Sequence, residues 1–229
     1  MAKLELITAE VCPFAQRSHM ALLEKGLEFE RREVDLRNKP KWFEEVSPYS
    51  KVPVLRDGDV RVYESTIINE YLEEVFPQPH LMPTDPGARA NARIWIDFDN
   101  VKFIPTFYRI LLAQDGPRRR ELAETLVDHM TFLEKEGFAK ASQGPYWFGP
   151  DISLVDLAFY PHFERFPAMT EYRGVEIPES CGQLKAWIEV MAERPSSKAT
   201  AHDADYHINA YAHYADGTAS GTTARDMRA

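Results

Sequence analysis

Four prolines, Pro77, Pro79, Pro83 and Pro86, fall within ten residues, and no helix can cross such a stretch. The chain reads differently on its two sides. Before the prolines, short strand-like and helix-like segments alternate. Leu4, Leu6 and the Ile7-Thr8 pair describe a short strand. Pro13 opens an amphipathic stretch to Lys25, and Gly26 closes it. Phe29 to Leu36 reads as a second strand and Pro40 to Val46 as a short helix. Val52–Leu55 and Val60–Tyr63 flank Arg56-Asp57-Gly58-Asp59, which is a hairpin turn signal. From Ser65 to Phe76, the spacing of Ile67, Ile68, Tyr71, Leu72 and Val75 describes one apolar helix face. After the prolines only helix-length segments follow: Gly87–Ala113 with a bend at Pro105, Arg118–Lys140, Ser153–Phe166 and Cys181–Ala192.

That order implies an α/β domain followed by an all-α domain. We assign residues 1–80 to the first, 81–86 to a linker and 87–214 to the second. The small, polar residues 215–229 read as a disordered tail. Ser153-x-x-Asp156, between Ile152 and Leu157, has the form of a capping box with a hydrophobic staple.

Composition narrows the function. With 27 basic and 36 acidic residues the chain carries a net charge of −9, which argues against nucleic acid as a partner. Only two cysteines occur among 229 residues, so no disulfide scaffold is expected. No apolar run is long enough for a membrane helix, and Met1–Phe14 lacks the pattern of a secretory signal, so we expect a cytoplasmic protein with free thiols.

Cys12 is the residue richest in chemical meaning. It stands between a predicted strand and the first turn of a predicted helix, where free backbone N–H groups stabilise an anion. A cysteine so placed is expected to have a lowered pKa and to act as a nucleophile, the alternative being a buried inert thiol. Ala15 stands where a dithiol oxidoreductase has its second cysteine, so the resolving thiol must come from a bound molecule. Val52-Pro53 places a proline in a β-branched run. A cis bond there would turn the Val52 backbone toward an extended, peptide-like ligand, whereas a trans proline would mark an edge strand. Glu64-Ser65 puts a carboxylate, a hydroxyl and an N-cap at a helix start, suited to the charged end of an amino acid or simply to capping. Lys39 is either a partner for a second carboxylate or a solvated surface charge.

Together these motifs resemble the cytosolic glutathione transferases, and within them the omega class. Cys12-Pro13-Phe14-Ala15-Gln16-Arg17 is similar to the omega active-site motif. Asn38-Lys39-Pro40-Lys41-Trp42-Phe43, Lys51-Val52-Pro53-Val54-Leu55 and Tyr63-Glu64-Ser65 resemble the family's lysine loop, cis-proline strand and γ-glutamyl site. The stretch Phe148 to Asp156 resembles its capping box. The resemblance spans about Leu4 to Ala199 and implies a thioredoxin-like N-terminal domain, an all-α C-terminal domain and glutathione as co-substrate. It implies that Cys12 forms a mixed disulfide with glutathione, in an enzyme of thiol-transferase or dehydroascorbate-reductase type. Phe14, Lys39, Val52, Pro53, Glu64 and Ser65 would hold glutathione, and a homodimer is the family's expectation. Two alternatives stay open: a lyase, etherase or dehalogenase acting on an aromatic electrophile, and a non-catalytic regulator of the same fold.

For the second substrate, a hydrophobic or aromatic electrophile or a glutathione conjugate, the candidates are Phe103, Phe107, Tyr108, Arg109, Phe163 and Phe166. An aromatic set at helical spacing can equally be core. His202, His207 and His213 lack the spacing of a helical metal pair, so no metal site is expected. With Tyr206, Tyr211 and Tyr214 they form a last segment that covers either the cleft or the surface. Cys181, near another helix start, could be reactive for the same reason as Cys12, but nothing beside it suggests a role.

Overall fold

The computed structural model describes residues 3–140 and 144–228. Its first third is built on β1 (Leu4–Thr8), α1 (Pro13–Glu24), β2 (Phe29–Glu33), α2 (Lys41–Val46), β3 (Val54–Asp57), β4 (Val60–Tyr63) and α3 (Ser65–Val75). The strands form one mixed sheet in the order β2-β1-β3-β4. β1 runs parallel to β2 and antiparallel to β3, and β3 pairs with β4 as a hairpin. Gly58, at φ 58°, supplies the left-handed residue of that hairpin turn. Leu4 and Leu6 on β1 and Leu55 on β3 pack with Ile68 and Leu72 of α3. Ile7 and Val54 turn the other way, toward Phe43 of α2. The period-two alternation of a strand thus serves both faces of the sheet. This is a thioredoxin-like arrangement followed by helices.

The proline-rich stretch is held rather than loose. The buried Lys25 ammonium donates to Glu73 at 2.8 Å and to the Phe76 and Pro79 carbonyls at 2.7 and 2.9 Å. Glu73 in turn accepts from the Leu81 N–H. Leu81 and Met82, inside the expected linker, are core residues.

The second part comprises α4 (Pro86–Phe98), α5 (Ile104–Leu112), α6 (Gly116–Phe132), α7 (Leu154–Glu164), α8 (Phe166–Arg173), α9 (Gly182–Glu193), α10 (Pro195–Lys198), α11 (Ala204–Ala215) and α12 (Thr222–Arg228). The expected bend near Pro105 is a π-helical turn, Asp99–Phe103, joining α4 to α5. Proline lacks an N–H, so the regular ladder cannot continue into that turn.

The capping box is present and does more than start a helix. Asp156 accepts from the Ser153 N–H at 2.8 Å and its hydroxyl at 2.7 Å. It also accepts from the Trp147 N–H at 2.9 Å and the Trp187 indole N–H at 2.8 Å. One buried carboxylate therefore joins the loop before α7, α7 itself and α9.

One expectation needs correction. The composition of residues 215–229 predicts a disordered tail, yet Thr222–Arg228 form α12. Ala219 and Ala224 bury against Leu112, with Tyr214 and Met227 beside them. Small residues lower the hydrophobicity that a sequence scan detects, but they allow close packing, and Arg228 satisfies the Ala219 and Gly217 carbonyls. Among the described residues no helix is long and apolar enough to cross a membrane.

Candidate active site

A cleft of about 1490 Å³ opens between the sheet-bearing part and the helices. Its floor holds Cys12, Phe14, Lys39, Val52, Pro53, Glu64 and Ser65, so the structure brings all seven of these candidates to one cavity. Cys12 is the N-cap of α1 and Pro13 its first helical residue. The Cys12 Sγ donates to the Val52 carbonyl at 3.8 Å, which joins two motifs 40 residues apart. The Val52–Pro53 peptide is cis. Glu64, not Ser65, is the N-cap of α3, so the cap lies one residue earlier than the Ser65 hydroxyl suggests, and Ser65 is the first helical residue. Glu64 holds φ 70°, a left-handed backbone that a non-glycine residue adopts at a cost of about 1–3 kcal/mol. It is exposed at the cleft, whereas Ser65 is buried. Lys39 Nζ donates to the Ser50 carbonyl at 2.7 Å, the Ser50 hydroxyl at 3.3 Å and Thr222 Oγ1 at 3.2 Å.

The Cys12 thiol differs from expectation in one respect. Burial pushes its pKa up. The backbone N–H groups of Ala15 and Phe14 and the charges of Arg165 and Arg17 oppose that rise without cancelling it. The helix start acts as expected, but burial of the thiol outweighs it.

The wall of the cleft facing this floor comes from the helical part. Tyr108 of α5 and Tyr211 of α11 line the cleft, their hydroxyls 3.2 Å apart and their rings stacked. Tyr206, His213 and Tyr214 lie along the same face. The segment expected to cover the cleft or the surface is therefore α11, and it lines the cleft. His207 points the other way. It is buried and shares Glu164 with Gln16, at 2.9 and 2.7 Å. No group of three potential metal ligands occurs among the described residues.

Of the second-substrate candidates, Tyr108 alone lines the cleft. Phe107 and Phe166 are core residues packed on each other, and Phe103 and Phe163 are likewise buried. Arg109 is exposed and is not part of the cleft wall. The physical reason is helical periodicity: Tyr108 faces the cleft, its neighbour Phe107 turns into the bundle and Arg109 turns to solvent. Cys181, fully buried, has its thiol pKa raised by that burial.

The residues behind Cys12 escape sequence reasoning. Arg17 crosses from α1 to the π turn, pairing with Asp99 and donating to Asn100 at 2.9 Å and the Ala158 carbonyl at 2.8 Å. Arg165 donates to Gln16 at 2.5 Å, the Pro161 carbonyl at 2.7 Å and the Val11 carbonyl at 3.4 Å. Both guanidinium groups are buried. His162, with Phe14, Phe107 and Tyr108 around its ring, is held well below the ordinary histidine range, first by burial and then by these two charges. Arg17 has one sequence signal, its place in the Cys12 motif; Arg165 and His162 have none.

A thioredoxin-like sheet with a cysteine at a helix start, closed by a helical bundle, defines a class of protein, and comparison bears it out. Residues 11–75 match the family described as "Glutathione S-transferase, N-terminal domain", and residues 116–189 its C-terminal domain. Glutathione S-transferase U19 of Arabidopsis thaliana is 33% identical across 84% of this chain and 87% of its own. The omega-1 transferase of Rattus norvegicus is 32% identical across 84% and 78%. The crystal structure of transferase Omega 3C from Trametes versicolor superposes with a TM-score of 0.84 at 32% identity, covering 93% of this chain and 91% of that one. The chain belongs to the glutathione transferase family, with omega-class members among its relatives in both sequence and structure.

Proposed function

We propose that this glutathione transferase, with glutathione as its co-substrate, works by a cysteine mechanism: Cys12 is the nucleophile of glutathione-dependent thiol–disulfide exchange. The observation that carries the reading is the position of Cys12 Sγ, at the N-terminus of α1 and against the Val52 carbonyl on the cleft floor. A helix start supplies the N–H groups that stabilise a thiolate, and Val52 supplies backbone to an extended peptide. Glutathione would lie with its cysteinyl portion along Val52 and its γ-glutamyl end at Glu64 and Ser65. Its sulfur would then approach Cys12. In the first step the Cys12 thiolate attacks the glutathionyl sulfur of a mixed disulfide. The Cys12–glutathione disulfide forms and the other sulfur leaves as a thiolate. In the second, the thiolate of another glutathione attacks the glutathionyl sulfur of that disulfide, releasing oxidised glutathione and restoring the Cys12 thiolate. Burial raises the Cys12 pKa in the free protein, so a change in the cleft on ligand binding would assist removal of its proton.

The test is intact mass after incubation with oxidised glutathione. One glutathionyl adduct, mapped to Cys12 and released by reduced glutathione, is the expected result. Cys12→Ala should form no adduct and lose exchange activity. Full activity in that variant would move the chemistry to another residue.

The tyrosine wall supports a second reading, in which the other substrate is an aromatic electrophile cleaved with glutathione's help. Release of halide or of an aromatic alcohol under turnover would distinguish it from simple exchange. A homodimer is the assembly we expect, and light scattering at two concentrations tests it.

A further inference from the structure

The C-terminal helix is part of the cleft. Thr222, Arg225, Asp226 and Met227 of α12 line it. Lys39 Nζ reaches Thr222 Oγ1 at 3.2 Å, and Lys51 pairs with Asp226 at 2.7 Å. Two elements about 180 residues apart in sequence thus meet at one edge of the candidate glutathione site.

The charges at this edge are unbalanced. Arg225 donates to the Ser220 carbonyl at 3.2 Å and to Thr222 Oγ1 at 3.4 Å, so it and Lys39 converge on the same hydroxyl. Among the described residues neither has a carboxylate partner. Asp226 is engaged by Lys51, and Asp35, also on the cleft wall, accepts from the Arg37 N–H. Lys39 is held below the ordinary lysine range, first by burial and then by the charge of Arg225. Two cations facing a partly desolvated cavity with one neutral oxygen between them repel each other, and an anion seated there relieves the repulsion.

We propose that Lys39 and Arg225 together form a carboxylate site, and that a ligand carboxylate bound between them holds the C-terminal helix closed over the cleft. The inference rests on the glutathione site described above, and it assigns the glycyl carboxylate of glutathione to this pair. Lys39 belongs to the sheet-bearing part and Arg225 to the end of the helical part. The bound carboxylate is therefore a cross-link between them. Whatever the ligand gains from Arg225, the closed position of α12 gains from the ligand, because the coupling is reciprocal.

The experiment uses the full chain and two probes: glutathione and its glycyl monoethyl ester, which lacks only that carboxylate charge. Calorimetric titration of wild type and Arg225→Gln gives four dissociation constants. We expect Arg225→Gln to weaken glutathione about three- to tenfold at low salt and to leave the ester unchanged. Limited trypsin digestion of the wild type gives an independent readout, in which glutathione, and not the ester, slows cleavage after Arg225. Equal weakening of both probes would mean that Arg225 supports the cleft without touching the carboxylate, and would overturn the proposal. So would tight glutathione binding that Arg225→Gln leaves intact, or cleavage after Arg225 unaffected by glutathione. If the wild type binds neither probe, the glutathione site itself fails, and this inference with it.

Discussion

The floor and the wall of the cleft are built in different ways. The floor uses backbone: a helix N-terminus at Cys12, a strand carbonyl at Val52, a second helix start at Glu64–Ser65. Each is a short local motif, and the sheet sets the distances between them. The wall uses side chains: Tyr108, Tyr211 and Tyr214, from helices whose packing decides which ring reaches the cavity. The difference teaches how one protein can keep its chemistry and vary its substrate. Backbone geometry survives most substitutions, whereas a tyrosine on a helix face can change without disturbing the helix.

The comparison can be broken or sharpened by experiment. The largest effect should come from the floor. Cys12→Ser should lower exchange at least about a thousandfold while the denaturation midpoint hardly moves, because an alcohol is a far poorer nucleophile of nearly the same size. Loss of structure in that variant would show that floor and fold are not separable. Next come two buried charged groups that hold elements together. Arg17→Ala leaves the Asp99 carboxylate buried without its partner, and urea denaturation should show a loss of about 3–5 kcal/mol. Asp156→Ala strands four donors in the helical part and should cost about 3 kcal/mol or more, with Asp156→Asn milder. Equal stability of Asp156→Ala and wild type would refute the junction role given to this carboxylate.

The thiol offers a pH test of how the floor is buried. Burial raises the Cys12 pKa above its ordinary value, so its alkylation rate should still be climbing with pH on the alkaline side of neutrality. A rate already at its plateau by pH 7 would mean that the helix start outweighs burial. The smallest effect is expected from Tyr211→Phe. It removes one hydroxyl from a bonded pair, costs about 1 kcal/mol, and should shift KM for the second substrate with glutathione binding unchanged.

The floor is largely legible in the sequence. Strand ends, helix starts and the proline in Val52-Pro53 are written in adjacent residues, so β1, α1, α2, β4 and α3 follow from the residue pattern nearly to the residue. The small slips have local causes: the N-cap of α3 lies at Glu64 because that residue, not Ser65, takes the non-helical backbone. The wall is less legible. Phe107 and Tyr108 are equally aromatic neighbours, and only the way α5 packs sends one into the core and the other to the cleft. The tail misleads for a related reason, since Ala219 and Ala224 carry little hydrophobic signal and bury completely only because Leu112 is there to meet them.

The sequence by itself determined the order of elements in the first part, the break at the prolines and the cysteine at a helix start, since these follow from residues within a few positions of one another. The tertiary structure alone decided the ionisation of Cys12, the buried arginines behind it and the meeting of Lys39 with α12. Burial and charge are sums over neighbours in space, and here those neighbours come from opposite ends of the chain.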